Sequence, residues 1–215
     1  MKTKAAILVR QKRPLVVDEV EIPSLKRGQV LVRVHASGVC GSQIGEMDGV
    51  KGPDRYLPHL LGHEAGGVVE ETGPGVTRVK RGDRVILHWR PGKGIQADTP
   101  RYRWGRKMVN AGWVTTFQER SVVSENRLTK MPRGIGMETA ALYGCALLTG
   151  FGVVRNDASL KKGESAVVLG SGGIGLCEII ALRAASGRPI AAVDLYPHKL
   201  SLAKSYGATH AVRFS

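Results

Sequence analysis

The chain of 215 residues is 42% hydrophobic and 23% charged, a composition that is typical of a folded globular protein and excludes a disordered one. It contains no apolar run of the roughly 18 residues that a membrane span requires. Its net charge of +14 is concentrated between Lys80 and Lys107. We interpret this stretch as a solvated basic loop and not as a nucleic-acid-binding surface, because no nucleic-acid-binding motif accompanies it.

The amino-terminal segment, MKTKAAILVRQKRP, has a short apolar stretch that is followed at once by basic residues. A secretory signal needs an apolar region of about 7–15 residues. We therefore interpret this segment as a first β-strand, and we expect a cytoplasmic protein with no membrane partner.

Short apolar segments separated by turn residues predict that the first part of the chain is β-rich. The predicted strands are KAAILV (4–9), LVVDEVEI (15–22), QVLVRVHASGV (29–39), HEAGGVVEETG (63–73) and DRVIL (83–87). In the third of these, Val30 and Val32 alternate with Leu31 and Arg33, as in a partly buried strand. The pattern favours a compact β barrel, and residues 90–112, which lack clear periodicity, are predicted to form an excursion loop.

Near residue 150 the pattern changes to strands that alternate with helices. The segment KKGESAVVLGSGGIGL predicts a strand, a glycine turn and a helix; PIAAVD (189–194) and THAVRF (209–214) predict strands, and PHKLSLAKSY (197–206) predicts a helix. Such alternation is typical of a parallel sheet. We therefore divide the chain into a β-rich domain, residues 1–150, and an α/β domain, residues 151–215.

The glycine turn has the spacing of a dinucleotide-binding loop. Gly170 permits the tight turn, Gly172 lets the backbone approach a pyrophosphate, and Gly175 allows close packing of helix on strand. Gly173 and Ile174 complete the candidate loop at the amino end of the helix, where unpaired N–H groups attract phosphate.

An acidic residue follows this loop at the position that such sites use for the ribose. Asp194 ends the next predicted strand, 19 residues after Gly175. Its carboxylate is predicted to accept hydrogen bonds from the adenosine ribose and to repel a 2′-phosphate, which favours NAD over NADP. Lys199 is a candidate to flank the same ribose, although an exposed helical lysine is an equally good interpretation.

A group of potential metal ligands precedes the glycine loop in the chain. Cys40, His63 and Cys145, with Glu64 beside the histidine, supply two thiolates and one imidazole, the ligand set of a zinc ion with an open fourth position. Zinc beside a nicotinamide cofactor indicates hydride transfer between an alcohol and its carbonyl form. We interpret Cys177 as a core residue, and the remaining histidines, His59 among them, as packing or surface residues.

These residues resemble the zinc-dependent medium-chain alcohol dehydrogenases along almost the whole chain. The matching segments are GVCGSQ (38–43), LGHEAGGVV (61–69), GDRV (82–85), YGCALLTGFG (143–152), VVLGSGGIGL (167–176) and AAVDLYPHKLSLAKSYGAT (191–209). The resemblance implies an α/β chain with a chaperonin-10-like β barrel as the catalytic domain, followed by a Rossmann domain for the cofactor.

The resemblance also implies a role for individual residues. Cys40, His63 and Cys145 match the zinc ligands, and Glu64 matches an acidic residue next to the metal. Ser42 matches the hydroxyl that passes the substrate proton outward, and Thr149 falls where the family places a residue beside the nicotinamide.

The sequence departs from the family in three ways that bear on chemistry. Gln43 stands where the family often has an aspartate that orients the ligand histidine, and we expect its carbonyl to accept a hydrogen bond from that ring. Gly45 occupies the position of a relay histidine. The four-cysteine lobe that binds a structural zinc in the family is missing, so a single zinc is predicted.

The resemblance further implies a longer chain, because only three strands of a Rossmann sheet fit before Ser215. We expect an amino-terminal portion of a zinc- and NAD-dependent dehydrogenase that acts on a small-molecule alcohol or carbonyl compound, and a homo-oligomer (dimer or tetramer) at full length. Two alternatives stay open. One is a polyol or sugar dehydrogenase of the same superfamily, and the other is a catalytically silent fragment that acts as a binding module.

Overall fold

A computed structural model describes residues 1–214, and the chain divides into two compact units, Met1–Cys145 and Ala146–Ser215. We call them the barrel unit and the sheet unit. The predicted α/β architecture, with a β-rich barrel followed by a parallel sheet, is confirmed. Among the described residues, no single helix is long and apolar enough to cross a membrane.

The barrel unit contains ten strands, two short helices and one 3-10 turn. Its strands are β1 (Lys2–Leu8), β2 (Val16–Glu21), β3 (Gln29–Ser37), β4 (His59–Leu60), β5 (Ala65–Thr72), β6 (Arg84–Leu87), β7 (Arg101–Trp104), β8 (Lys107–Asn110), β9 (Arg120–Ser124) and β10 (Leu128–Lys130). Its helices are α1 (Gly41–Asp48) and α2 (Met137–Tyr143), and the 3-10 turn is Glu125–Arg127.

Two sheets enclose the interior of this unit. One closes into a barrel in the order β1-β2-β7-β8-β4, and the other is a five-stranded sheet in the order β10-β6-β5-β3-β9. The strand β3 serves two cores at once. Val30 and Val32 belong to a cluster with Leu87, whereas Leu31 belongs to a second cluster with Tyr102. All five side chains are at least 97% buried, so this strand is covered on both faces along its first half.

The prediction of an excursion loop over residues 90–112 is wrong for its second half, which forms the hairpin of β7 and β8. Tyr102 pairs with Val109 across this hairpin, is fully buried, and its hydroxyl accepts a 2.8 Å hydrogen bond from the Val122 N–H. Each strand has only four residues, so the alternation is too short to stand out in the sequence. Gly105, with φ of 57°, makes the tight turn between them.

The sheet unit alternates strands and helices as predicted. It contains α3 (Ala146–Gly152), a π-helical turn (Val153–Asp157), β11 (Ala166–Leu169), α4 (Gly173–Ala184), β12 (Ile190–Asp194), α5 (Pro197–Tyr206) and β13 (His210–Arg213). The strands are parallel in the order β11-β12-β13. Val168 and Ala192 pack with Ile179 of α4 and Ala203 of α5 in one buried cluster.

Candidate metal and cofactor sites

Three loops of the barrel unit bring the predicted zinc ligands together. Cys40 lies between β3 and α1, His63 lies between β4 and β5, and Cys145 follows α2. The ligand atoms of these three residues all lie within 4.8 Å of one another. In a tetrahedral zinc site with bonds of about 2.0–2.3 Å, ligand atoms are about 3.3–3.8 Å apart. Two sulfur atoms and one imidazole nitrogen therefore need only small shifts to hold zinc.

Close backbone contact positions Cys145 and Glu64. A Cβ atom at Gly144 would overlap the carbonyl oxygen of Leu87 and would lie 2.7 Å from the Cβ of Glu64. Only glycine therefore lets the segment before Cys145 approach β6 this closely. Glu64 is 97% buried, so its side chain lies inside the protein immediately after the ligand His63.

One nitrogen of the His63 imidazole, Nε2, is suited to act as a neutral metal ligand. Burial lowers the pKa of His63, which keeps the ring neutral at physiological pH. Its Nε2 atom is buried and has no hydrogen-bond partner within residues 1–214. A buried ring nitrogen without a partner, on a histidine grouped with two cysteines, fits a metal site better than a packing role.

The other nitrogen of this ring contacts Gln43, and here the expectation about the glutamine carbonyl is wrong. The Oε1 atom of Gln43 accepts a 2.9 Å hydrogen bond from the Cys40 N–H. The Nε2 atom of Gln43 therefore faces the Nδ1 atom of His63, at 2.6 Å, and it also donates to the Ser42 hydroxyl oxygen at 3.2 Å. Because the glutamine side chain caps the amino end of α1, its orientation is fixed by the helix and not by the histidine.

A cavity of about 770 Å³ opens beside His63 and Gln43 in the barrel unit. Gly45 lines this cavity and has no side chain that could relay a proton. The cavity is large enough for a small-molecule substrate.

One pair in this cavity was missed by the sequence analysis, which took His59 for a packing or surface residue. The Nε2 atom of His59 lies 2.7 Å from a carboxylate oxygen of Asp54, and its Nδ1 atom lies 3.0 Å from the Leu60 carbonyl oxygen. Both residues line the cavity. No spacing rule joins them, since the four intervening positions form an irregular loop.

The candidate dinucleotide loop lies in the sheet unit between β11 and α4. Gly170 has φ of 92°, a left-handed conformation that favours glycine. A Cβ atom at Gly175 would overlap the carbonyl oxygen of Gly170, so this glycine allows the first turn of α4 to pack on the loop. Gly172 and Gly173 have open space where a Cβ atom would stand, and Ile174 is 40% exposed. The arrangement leaves room for a phosphate group at the amino end of a 12-residue helix.

Asp194 holds this loop to the end of β12. One of its carboxylate oxygens accepts a 2.7 Å hydrogen bond from the Ser171 N–H, and the other accepts a 3.0 Å bond from the Tyr196 N–H. The bonds from Tyr196 and Ser171 lower the pKa of Asp194, so the carboxylate is charged at neutral pH. The Lys199 ammonium lies 4.8 Å from the centre of the Tyr196 ring. Thr149 lies on α3, in the same unit.

Comparisons with known proteins find relatives for almost the entire chain. The family described as alcohol dehydrogenase GroES-like domain matches residues 26–133. The chain is similar to the S-(hydroxymethyl)glutathione dehydrogenases of Photobacterium damsela subsp. piscicida, with 35% identity, and of Escherichia coli O1:K1 / APEC, with 34% identity. Both alignments cover 99% of this chain and 64% of the relative.

Comparison with solved structures also finds proteins that are similar along almost the entire chain. An alcohol dehydrogenase zinc-binding domain protein from Burkholderia ambifaria is 28% identical, with a TM-score of 0.89. Benzyl alcohol dehydrogenase from Acinetobacter calcoaceticus is 26% identical, with a TM-score of 0.86. Each comparison covers 99% of this chain and 64% of the solved chain. The chain therefore spans slightly less than two thirds of the length of these relatives.

Proposed function

Since the chain belongs to the family of alcohol dehydrogenases with a GroES-like domain, we propose that it is the part of a zinc-dependent oxidoreductase that binds the metal and the adenosine half of NAD. The reaction is hydride transfer between an alcohol and NAD, with the aldehyde or ketone as the other partner. The observation that carries this proposal is the group of Cys40, His63 and Cys145 beside a cavity of about 770 Å³.

The proposed site divides the chemistry between the metal and the side chains around it. Bound zinc supplies Lewis acidity, which lowers the pKa of an alcohol toward neutrality. Ser42 is proposed to accept the alcohol proton and to pass its own proton outward. Its hydroxyl oxygen already accepts a hydrogen bond from Gln43, so its O–H is oriented to donate elsewhere. With Gly45 in the next turn of α1, the proton then leaves through water.

The charged residues of the cavity bear on the substrate. Three basic residues, Lys51, Arg55 and Arg101, and two acidic residues, Glu46 and Asp54, line the same cavity as His63. The surplus of positive charge favours an alcohol that carries a negative charge. The relatives named S-(hydroxymethyl)glutathione dehydrogenase suggest one such compound. Benzyl alcohol and a polyol represent the uncharged alternatives in a substrate panel. A charged substrate should show a KM that rises with ionic strength, whereas the KM of benzyl alcohol should not change.

The proposal for the cofactor is NAD, held by the loop from Gly170 to Gly175 and by Asp194. The charged carboxylate of Asp194 disfavours a 2′-phosphate. NADH should therefore bind at least about tenfold more tightly than NADPH, a difference of ~1.4 kcal/mol. Equal affinities would contradict this assignment. Because one carboxylate oxygen of Asp194 accepts a hydrogen bond from Ser171 of the loop, Asp194→Ser should weaken the binding of both cofactors as well as narrow the difference between their affinities.

Zinc content tests the metal part of the proposal. The purified protein should contain about one equivalent of zinc, and Cys145→Ser should lose it. Cys177→Ser is the matched control, since Cys177 lies on α4, outside the group of three ligands. Retention of zinc by Cys145→Ser, or loss of zinc in Cys177→Ser, would contradict the ligand assignment.

Expectations about the location, the oligomeric state and the partners of the protein follow from this proposal. A cytoplasmic location suits the two thiolate ligands, which must stay reduced. Homo-oligomer formation at full length is proposed as well, and neither nucleic acid nor a membrane is required as a partner. A silent fragment that acts as a binding module remains the alternative, and it would bind zinc and NADH without turnover on any alcohol.

A further inference from the structure

The side chain of Gln43 has one oxygen atom but lies between two groups that both need an acceptor when zinc is bound. It is 97% buried, so water does not substitute for a missing partner. Its Oε1 atom already accepts the 2.9 Å hydrogen bond from the Cys40 N–H. That N–H belongs to the backbone and can only donate.

Zinc coordination by His63 through Nε2 requires that the ring proton lie on Nδ1. The Nδ1–H group then needs an acceptor, yet the atom that faces it at 2.6 Å is the amide nitrogen of Gln43, which is a donor. In the observed arrangement, Nδ1 must instead accept the bond from Gln43, and the ring proton lies on Nε2. That buried nitrogen is the one left to bind a metal, because Gln43 already contacts Nδ1.

We propose that Gln43 is a positioning residue that holds His63 in the Nε2–H tautomer. Zinc binding must then disrupt one of the two hydrogen bonds of Gln43, to His63 or to the Cys40 N–H. A carboxylate at this position would accept from both groups at once. Binding requires either rotation of the Gln43 amide, which loses the bond from the Cys40 N–H, or two donors that face each other at 2.6 Å. Both states cost free energy inside a buried site. The inference rests on the proposed zinc function and names Gln43 as the residue that sets the affinity.

The consequence is a zinc site of reduced affinity and faster exchange. A carboxylate at position 43 offers two oxygen atoms, so it accepts from the Cys40 N–H and from His63 Nδ1–H at the same time. Loss of such an outer partner typically costs 10–100-fold in metal affinity. We therefore expect Gln43→Glu, which keeps the length of the side chain and its capping of α1, to bind Zn²⁺ about 10–100-fold more tightly than the wild type.

The test measures the tautomer and the affinity separately. Long-range ¹H–¹⁵N spectra of zinc-free protein with labelled histidine report which nitrogen of His63 carries the proton, with His63→Asn to assign the signal. Competition of Zn²⁺ against a chelator gives the affinity. Gln96→Glu is the matched control for the added charge, because Gln96 is exposed and its Oε1 atom only accepts hydrogen bonds.

The expected result is an Nε2–H tautomer in the wild type, an Nδ1–H tautomer in Gln43→Glu, and tighter Zn²⁺ binding by Gln43→Glu alone. An Nδ1–H tautomer in the zinc-free wild type would overturn the role of Gln43 while leaving the proposed function intact. Equal zinc affinity of the wild type and Gln43→Glu would overturn it too. Failure of every variant to bind zinc would instead contradict the proposed function, and the tautomers would still decide the role of Gln43.

Discussion

The two units differ in how far they bury the apolar residues of their strands. In the barrel unit, Val30 and Leu31 are neighbours on β3, point to opposite faces, and are both buried. In the sheet unit, Val168 on β11 is buried, whereas Val167 and Leu169 on the opposite face are 65% and 80% exposed. The helices α4 and α5 therefore cover one face of the parallel sheet, and the other face is apolar and open within residues 1–214.

This difference shows what an apolar run does and does not predict. The continuous segment Ala166–Leu169 is typical of a parallel strand that is covered on both faces. Only one face is covered here, because the helices that follow β11 and β12 both pack on the same side. Strand β3 of the barrel unit has no such open face along its first half, so equivalent apolar residues on β3 and on β11 should contribute very different stabilities.

The largest effect is expected from a core truncation in the barrel unit. Leu87 on β6 is fully buried between two strands, and Leu87→Ala should lower the free energy of unfolding by about 2–5 kcal/mol. Denaturant unfolding followed by tryptophan fluorescence isolates this unit, since Trp89, Trp104 and Trp113 all lie within it. A loss below about 1 kcal/mol would show that this core is loosely packed.

A smaller effect is expected when the glycine loop of the sheet unit is crowded. In Gly175→Ala the new methyl group overlaps the carbonyl oxygen of Gly170, which should destabilise this unit by about 1–3 kcal/mol and weaken NADH binding. Gly172→Ala is the matched variant, because its methyl group enters open space. It should leave thermal unfolding unchanged and weaken only the binding of NADH. Unchanged NADH affinity in Gly172→Ala would show that the pyrophosphate does not approach this residue.

The sequence predicted the regular parts of both units because their signals are local. The helix at Pro197–Tyr206 begins at a proline and ends before Gly207, and both boundaries were predicted correctly. The three candidate zinc ligands were predicted from residue type, from their order in the chain and from the resemblance to a family. Their closeness in space depends on three separate loops, so only the structure could bring the ligand atoms within 4.8 Å.

The parts that the sequence did not predict depend on contacts between distant segments. The amide nitrogen of Gln43 faces His63 because its oxygen accepts the hydrogen bond from the Cys40 N–H. The sequence alone does not show which of the two neighbouring groups donates to that oxygen. The hairpin of β7 and β8 is stabilised by burial of Tyr102 against β9, which lies 20 residues further along the chain.

Tyr102 gives a prediction of intermediate size that is specific to the barrel unit. Burial raises the pKa of Tyr102 to about 12, above its ordinary value of 10.0. Below pH 10 the phenol is protonated in both states, and its full contribution to stability is present. Between pH 10 and 12 the unfolded chain releases this proton while the folded chain keeps it, so stability falls as the pH rises.

The variant Tyr102→Phe should lose this alkaline dependence and should also be less stable at pH 7 by about 1–2 kcal/mol, because the buried Val122 N–H loses its acceptor. Unfolding curves at pH 7 and pH 11, read by tryptophan fluorescence, measure both effects. The control Tyr56→Phe changes a ring that is 70% exposed and should behave as the wild type. An unchanged alkaline slope in Tyr102→Phe would assign the pH dependence to another group.

The smallest change in stability, and the sharpest contrast with Leu87, is expected at Leu169 on the open face of the sheet unit. Because this side chain is 80% exposed, Leu169→Lys should alter the free energy of unfolding by no more than about 0.5 kcal/mol. It should nevertheless reduce self-association, since Leu169 belongs to an exposed apolar patch with Val167, Val212 and Phe214. Light scattering across a concentration series measures association, and thermal unfolding by circular dichroism measures stability. If Leu169→Lys destabilised the protein by more than about 1 kcal/mol, this face would be buried in solution, and the contrast between the two units would disappear.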